Sequence, residues 1–313
     1  MKTILVTGGC GFIGSNFIKY ILDNFDDYLI INIDSLTYAA NNLVNLKSHK
    51  NYKFYNLDIN KNDVLLLLKR YNIDIIVNFA AETHVDNSIN NSKPFIHSNI
   101  LGVHNLLLCA LQHSSLNKFI QISTDEVYGS QDIDDNREHI ETDVLSPSNP
   151  YSASKASAEM LCYSYYKTHN IPIIITRASN NYGENQHLEK FIPKIISSIH
   201  NSNPIHIYGD GKNIRNWLNV KDHCSALKLI IDKGEIGNIY NISSSEYLSN
   251  NQLVSLIHHY MTDKTLKINY VQDRKGHDKK YSINSSKLRN LGWTPKYNLI
   301  DSLPSLIKSF KFD

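Results

Sequence analysis

A strand-like run, Thr3–Thr7 (TILVT), opens directly onto Gly8-Gly9-Cys10-Gly11-Phe12-Ile13-Gly14. Glycines at 8, 11 and 14 allow a tight turn and leave backbone amides uncovered. The residues that follow, Gly14–Asn24, have helical spacing. A strand, a bare turn and a helix in that order aim a helix N-terminus at a site that favours negative charge. The spacing is GxxGxxG rather than the commoner GxGxxG, but the physics is shared. Taken alone, such a loop is also compatible with a purely structural turn.

The alternation continues along the chain. Leu29–Ile33, Lys53–Leu57, Ile73–Phe79, Phe119–Ser123 and Ile173–Arg177 read as strands. Asn62–Tyr71, Pro94–Ser114 and Tyr151–His169 read as helices, and the polar stretch Ser130–Pro150 as a loop. Several strands are apolar on both faces, as strands covered by helices should be. The pattern predicts an α/β fold: a Rossmann-type doubly wound parallel sheet with a smaller C-terminal substrate-binding domain. The expected division is 1–178 for the first domain and 179–313 for the second, with 217–235 returning to the first.

Composition excludes several classes. A net charge of +2 with scattered Lys and Arg gives no nucleic-acid stripe. No continuous apolar run reaches the roughly 18–20 residues of a membrane span, and no signal peptide is legible. The 14 histidines form no metal-like cluster, so no metal is expected. Cys10, Cys109, Cys162 and Cys224 are far apart and suit a reducing compartment, so a cytoplasmic location is expected.

Asp34 ends the second strand, 20 residues past Gly14. A carboxylate there accepts hydrogen bonds from ribose hydroxyls and repels a 2′-phosphate, which points to NAD over NADP. Asp58 and Ile59 follow the third strand, where they can flank an adenine. Ala80 and Ala81 follow the fourth, where small side chains let a cofactor approach.

Tyr151-Ser152-Ala153-Ser154-Lys155 opens a long helix with a Tyr/Lys pair at i,i+4. Phenol and ammonium then share a face, and the Lys charge is expected to lower the Tyr pKa so that it can act as a base. Before it, at the end of the fifth strand, stand Thr124, Asp125 and Glu126. Adjacent carboxylates on a loop are usually solvated. At a strand carboxyl end beside a Tyr/Lys pair they supply a hydrogen-bonding hydroxyl, an acid and a base.

These motifs, with FAAETHVDNSI (Phe79–Ile89), SNNYG (Ser179–Gly183), EKFIP (Glu189–Pro193), IRNWLNVKDH (Ile214–His223) and DRKGHDKKYSI (Asp273–Ile283), resemble the dTDP-glucose and UDP-glucose 4,6-dehydratase family. The resemblance covers almost the whole chain. It departs at Asn87, where the family usually reads Arg, and at Lys275, where it reads Pro. A related epimerase would resemble this chain at Gly8–Gly14 and Tyr151–Lys155 but would not be expected to carry Asp125-Glu126.

The resemblance implies NAD as cofactor, with Gly8, Gly11, Phe12, Ile13, Gly14, Asp34, Asp58, Ile59, Ala80, Ala81, Asn99, Tyr151 and Lys155 around it. It implies UDP-glucose or dTDP-glucose as substrate, near Thr83, Asn180, Glu189, Lys190, Arg215, Asn250, Arg274 and His277. Thr124, Asp125, Glu126, Tyr151 and Lys155 take the catalytic roles. A homodimer through two helices, Pro94–Ser114 and Tyr151–His169, is also implied.

Overall fold

A computed structural model of the chain describes residues 1–41, 46, 49–261 and 264–310. The first half alternates as its apolar pattern predicts. Strands β1 (Lys2–Thr7), β2 (Tyr28–Asp34), β3 (Tyr52–Asn56), β4 (Ile75–Asn78), β5 (Lys118–Thr124) and β6 (Ile173–Ala178) alternate with helices, except that β3 follows β2 through a stretch that lies partly outside the described residues. The helices are α1 (Phe12–Asn24), α2 (Asp63–Tyr71), α3 (Val85–Asn90), α4 (Lys93–Phe95), α5 (Val103–Leu111) and α6 (Pro150–His169). Helices α4 and α5 are continuous through a π-helical segment, Ile96–Gly102.

The second half has shorter elements. They are β7 (Asn180–Tyr182), α7 (Phe191–His200), β8 (Ile205–Tyr208), β9 (Ile214–Asn219), α8 (Val220–Lys233), β10 (Ile239–Ile242) and β11 (Tyr247–Ser249). They continue with α9 (Asn250–His259), β12 (Ile268–Val271), α10 (Ser286–Asn290) and α11 (Leu299–Ser309).

Seven strands form one parallel sheet in the order β10-β6-β5-β4-β1-β2-β3. The chain runs outward from β1 to β3, then returns to β4 on the other side of β1. Strand order therefore reverses between β1 and β4, and a crevice opens at the carboxyl ends there. Both faces are covered. Phe17, Ile18 and Ile21 of α1 pack with Leu227 and Ile230 of α8 on one face. Leu67 and Leu68 of α2, Leu106 and Leu107 of α5 and Cys162 of α6 cover the other. A separate core unites Ile192, Ile195 and Ile196 of α7 with Leu253 of α9 and Leu303 of α11.

Within the segment 217–235, the end of β9 lies in a small three-stranded sheet with β7 and β11, while α8 packs against α1. The seventh strand of the main sheet, β10, is a four-residue element beyond that segment, and its pairing with β6 was not anticipated.

The continuous helix Lys93–Leu111 has 19 residues and a mean hydropathy of 1.3, long and apolar enough by length and composition to cross a membrane. Polar residues such as Asn99 and His104 interrupt it, so it holds no continuous apolar run of that length. One face, including Val103, Leu106 and Leu107, is buried in the core. The other leaves Ile96, Leu101, Leu108 and Leu111 exposed.

Candidate active site

The glycine turn is dictated by close packing. Gly8 adopts φ +64°, and a Cβ there would lie 2.6 Å from the Ala80 backbone. Such a contact is impossible, so the turn between β1 and α1 requires glycine. At Gly11 a Cβ would meet only the Gly8 carbonyl oxygen, at 3.2 Å. Gly11, the N-cap of α1, has no side-chain cap, so nothing local covers the amides of the first turn.

A cavity of about 420 Å³ lies over this turn and the strand ends. Gly8, Gly11, Phe12, Ile13 and Gly14 line one side. Asp34, Asp58, Ile59, Ala80 and Ala81 also line it. The Asp34 carboxylate accepts from Leu36 N at 2.8 Å and Cys10 N at 2.9 Å. Burial pushes this carboxyl above its usual range, and these two amides pull it back.

The same cavity is lined by Thr124, Asp125, Glu126, Tyr151 and Lys155. Two local devices place them. Thr124 caps the 3₁₀ turn Asp125–Tyr128, its Oγ1 accepting from Glu126 N at 3.3 Å. Asn149 and Ser152 form a capping box that starts α6, so Tyr151 leaves the helix in its first turn.

The two carboxyls differ. Asp125 is 2% exposed, receives the Thr124 hydroxyl at 3.2 Å on Oδ1, and leaves Oδ2 without a partner among the described residues. Burial, reinforced by the Glu126 charge, pushes its carboxyl up to about 8, so it is protonated at neutral pH. Glu126 is also raised by burial, but Arg274 and Arg215 pull it towards the ionised form.

Lys155 is not arranged as its spacing suggests. Its Nζ donates to Ile122 O at 2.6 Å, and burial pushes the ammonium down to about 8. Tyr151 is raised rather than lowered, by burial first and then by the Glu126 charge, with a Thr124 hydrogen bond opposing and Asp125 adding to the rise where it ionises. The i,i+4 rule places both groups on one helix face, but the β5 carbonyl takes the ammonium and the neighbouring charges are anionic.

Of the residues expected near a sugar nucleotide, Thr83, Asn180, Glu189 and Lys190 line the cavity. Lys190 Nζ donates to both Thr83 O and Thr83 Oγ1 at 3.1 Å. Glu189 accepts from the Tyr38 hydroxyl at 3.0 Å. Arg215, Arg274 and His277 stand outside the lining. Arg215 donates to Asp278 O at 2.9 Å and stacks 4.4 Å over Tyr281, while Arg274 pairs with Asp86 at 3.6 Å. His277 pairs with Asp273 at 2.5 Å. Asn250 opens α9 and is not brought to the cavity.

Asn99 stands apart from the lining. It is buried, but its Oδ1 accepts from Glu82 N and its Nδ2 donates to Glu82 O and Ser154 Oγ, at 2.9–3.0 Å. The amide clamps the loop after β4 to α6 and does not line the cavity. Conversely, Ser123, Asn181 and His223 line it without having been expected. His223 is buried and neutral, its pKa pushed down to about 3 by burial, and its Nδ1 lies 2.9 Å from Asn181 Oδ1. Its place as the last residue of the IRNWLNVKDH motif was the available signal.

Residues 5–305 match the family model described as GDP-mannose 4,6 dehydratase. The chain is 44% identical over 312 residues to the low-salt glycan biosynthesis protein Agl12 of Haloferax volcanii, covering 99% of both chains. It is 40% identical over 306 residues to the Arabidopsis thaliana trifunctional UDP-glucose 4,6-dehydratase/UDP-4-keto-6-deoxy-D-glucose 3,5-epimerase/UDP-4-keto-L-rhamnose-reductase RHM3, covering 96% of this chain and 46% of that one. Among solved structures, Bacillus anthracis dTDP-glucose 4,6-dehydratase in complex with NAD superposes with a TM-score of 0.91 at 40% identity, over 99% of this chain and 96% of that one. A family model spanning nearly the whole chain, relatives at this identity and a glycine turn facing an acid/base constellation agree: the chain belongs to the nucleotide-sugar 4,6-dehydratase family.

Proposed function

We propose that this chain is an NAD-dependent hydro-lyase that converts UDP-glucose or dTDP-glucose to the 4-keto-6-deoxyglucose nucleotide, the opening step of a rhamnose-type deoxysugar route. The observation that carries the reading is the unequal pair Asp125/Glu126 in the cavity that also holds Tyr151 and the glycine turn. A 4-epimerase needs no second acid and base, whereas loss of water needs both.

The cavity suits a dinucleotide. Gly11 leaves room beside uncapped helix amides, where a pyrophosphate is favoured. Asp34 presents a carboxylate to ribose hydroxyls. Buried Ser123 Oγ, Asn180 Oδ1 and His223 Nε2 have no hydrogen-bond partner among the described residues. When bound, NAD supplies reversible two-electron redox chemistry that oxidises C4 of the sugar and reduces C6.

The chain's own residues do the proton work. Tyr151 takes the C4 hydroxyl proton, its phenol drawn towards the ionised form by charged Lys155 and by the positive charge that bound oxidised NAD would bring, and Thr124 orients that hydroxyl. A ketone at C4 acidifies the C5 hydrogen, which Glu126 removes as a proton and returns to C5 when C6 is reduced. Protonated Asp125 delivers its proton to the C6 oxygen as water leaves. Asp125 is suited to that step because burial keeps it protonated near neutrality. Thr83, Asn180, Glu189 and Lys190 hold the sugar nucleotide, and the charges of Arg215 and Arg274 draw its diphosphate.

In this reading 1–178, with α8, hold the dinucleotide and 179–313 the sugar nucleotide. The exposed leucines of Lys93–Leu111, with Met160 and Tyr163 of α6, form an apolar surface suited to a second copy, hence a homodimer. The four cysteines are buried and free, which suits the cytoplasm. The test is side-by-side incubation with UDP-glucose and dTDP-glucose, scored by release of the 4-keto-6-deoxy product. A methyl group and one hydroxyl separate the two nucleosides, and a methyl discriminates by about 1–3 kcal/mol. Turnover of neither sinks the proposal.

A further inference from the structure

Behind the cavity lies an ion pair that the proposed chemistry does not use. Arg177 on β6 is 2% exposed and Glu159 on α6 is fully buried. The guanidinium is forked onto the carboxylate: Nη2 donates to Oε2 at 2.6 Å, and Nε donates to Oε2 at 3.0 Å and Oε1 at 3.2 Å. Its remaining nitrogen, Nη1, donates to the Tyr128 hydroxyl at 2.7 Å and to Glu141 O at 3.2 Å.

Both ends of this pair reach the reaction groups. Glu159 follows Lys155 by four residues and Tyr151 by eight, on one face of α6. Tyr128 ends the turn that begins with Asp125 and Glu126. Its ring is stacked on His139, centroids 4.8 Å apart and 2° from parallel, with Arg177 over it at 4.7 Å. Its hydroxyl donates to Asn241 Oδ1 at 2.9 Å, which fixes the turn to β10. A buried ion pair is weak as a stabilising device, since apolar replacements of similar volume are often neutral. Stability alone therefore does not account for this one.

We infer that Arg177 and Glu159 are positioning residues that hold the helix face of Tyr151 and Lys155 in register with the turn of Asp125 and Glu126. The pair joins the two through one rigid fork, with Tyr128 as the handle on the turn. It also sets the field at Lys155. Glu159 opposes the desolvation of that ammonium, whose other neighbours are the Cys162 thiol and the Ile122 carbonyl.

The inference rests on the proposed function for its turnover arm only. In the holoenzyme, Tyr128→Phe cuts the handle, while Glu159→Gln with Arg177→Met removes both charges at similar volume. Hydrogen–deuterium exchange is read first. Amides of 125–129 are expected to exchange at least ~10-fold faster in both variants, with β1 and β4 within about two-fold of wild type. Unchanged exchange at 125–129, or uniform acceleration across the sheet, overturns the inference. If the double variant fails to fold, Tyr128→Phe decides alone.

In turnover, the double variant is expected to lose about 10- to 100-fold in kcat with KM within about two-fold. The basic limb of its pH profile should move to lower pH, because Lys155 has lost its anionic neighbour. A limb and a kcat that both stay in place overturn it as well. Should wild type release no 4-keto product, the proposed function fails, and the exchange measurement still decides this inference.

Discussion

Asp125 and Glu126 share one 3₁₀ turn, yet Asp125 Oδ2 is buried with no partner among the described residues while two arginines draw Glu126 towards its charged form. Adjacent carboxyls in unequal surroundings divide into an acid and a base. Burial raises both carboxyls, and the arginines that oppose it at Glu126 support the proposed roles of Asp125 as acid and Glu126 as base.

Asp125→Asn keeps the shape and removes the transferable proton. Loss of water should slow by about two to four orders of magnitude, with C4 oxidation less affected. Single-turnover absorbance should therefore show reduced nicotinamide accumulating with little 6-deoxy product. Dehydration at the normal rate removes Asp125 from the chemistry.

The same substitution should stabilise the fold. The Asp125 carboxyl is raised in the folded protein, so folding binds an extra proton between its ordinary value of 3.8 and about 8. Its contribution is fully favourable below that window and lost as pH rises through about 8. Asparagine has no such penalty. Thermal melts at pH 6 and pH 9 should show wild type falling more steeply than the variant, with Tm gaining ~2–4 °C for each kcal/mol relieved.

Turnover should fall on the alkaline side. Protonated Asp125 and charged Lys155 are both lost near a pH of about 8. A kcat profile still rising through that range contradicts the assignment of Asp125 as acid.

Tyr151→Phe retains the ring that packs edge-on to Phe95 and loses the phenol. C4 oxidation should slow by about two to four orders of magnitude. Stopped-flow absorbance of nicotinamide reduction measures it directly, and near-normal rates exclude Tyr151 as the base.

Asp34→Ala should weaken NAD binding by about 10- to 100-fold, the worth of hydrogen bonds to a charged group. It should also narrow the preference over NADP. Fluorescence titration of both dinucleotides reads the effect, and equal affinities in wild type defeat the argument from charge.

Much of the cavity wall was legible because its rules are local. Gly8–Gly14 follow a strand, Asp34 and Thr124 end strands, and Tyr151 opens a helix; each of these positions depends on spacing within a few residues. What was not legible depends on partners far along the chain. The Lys155 ammonium is taken by Ile122 O on another element. The Asn99 amide is consumed by Glu82 and Ser154. Arg215 spends its donors on the carbonyls around Asp278. Strand β10 is too short for any periodicity to declare it.

Strand β10 also sets an order of events during synthesis. The hydrogen-bonding edge of β6 stays open until the ribosome has delivered residues 239–242, which lie beyond β7, α7, β8 and β9. A nascent chain stalled before that point carries an unpaired, apolar strand edge, Ile173-Ile174-Ile175, available to any other extended peptide. Translation pauses or truncations between residues 178 and 239 are thus where aggregation of this chain should begin.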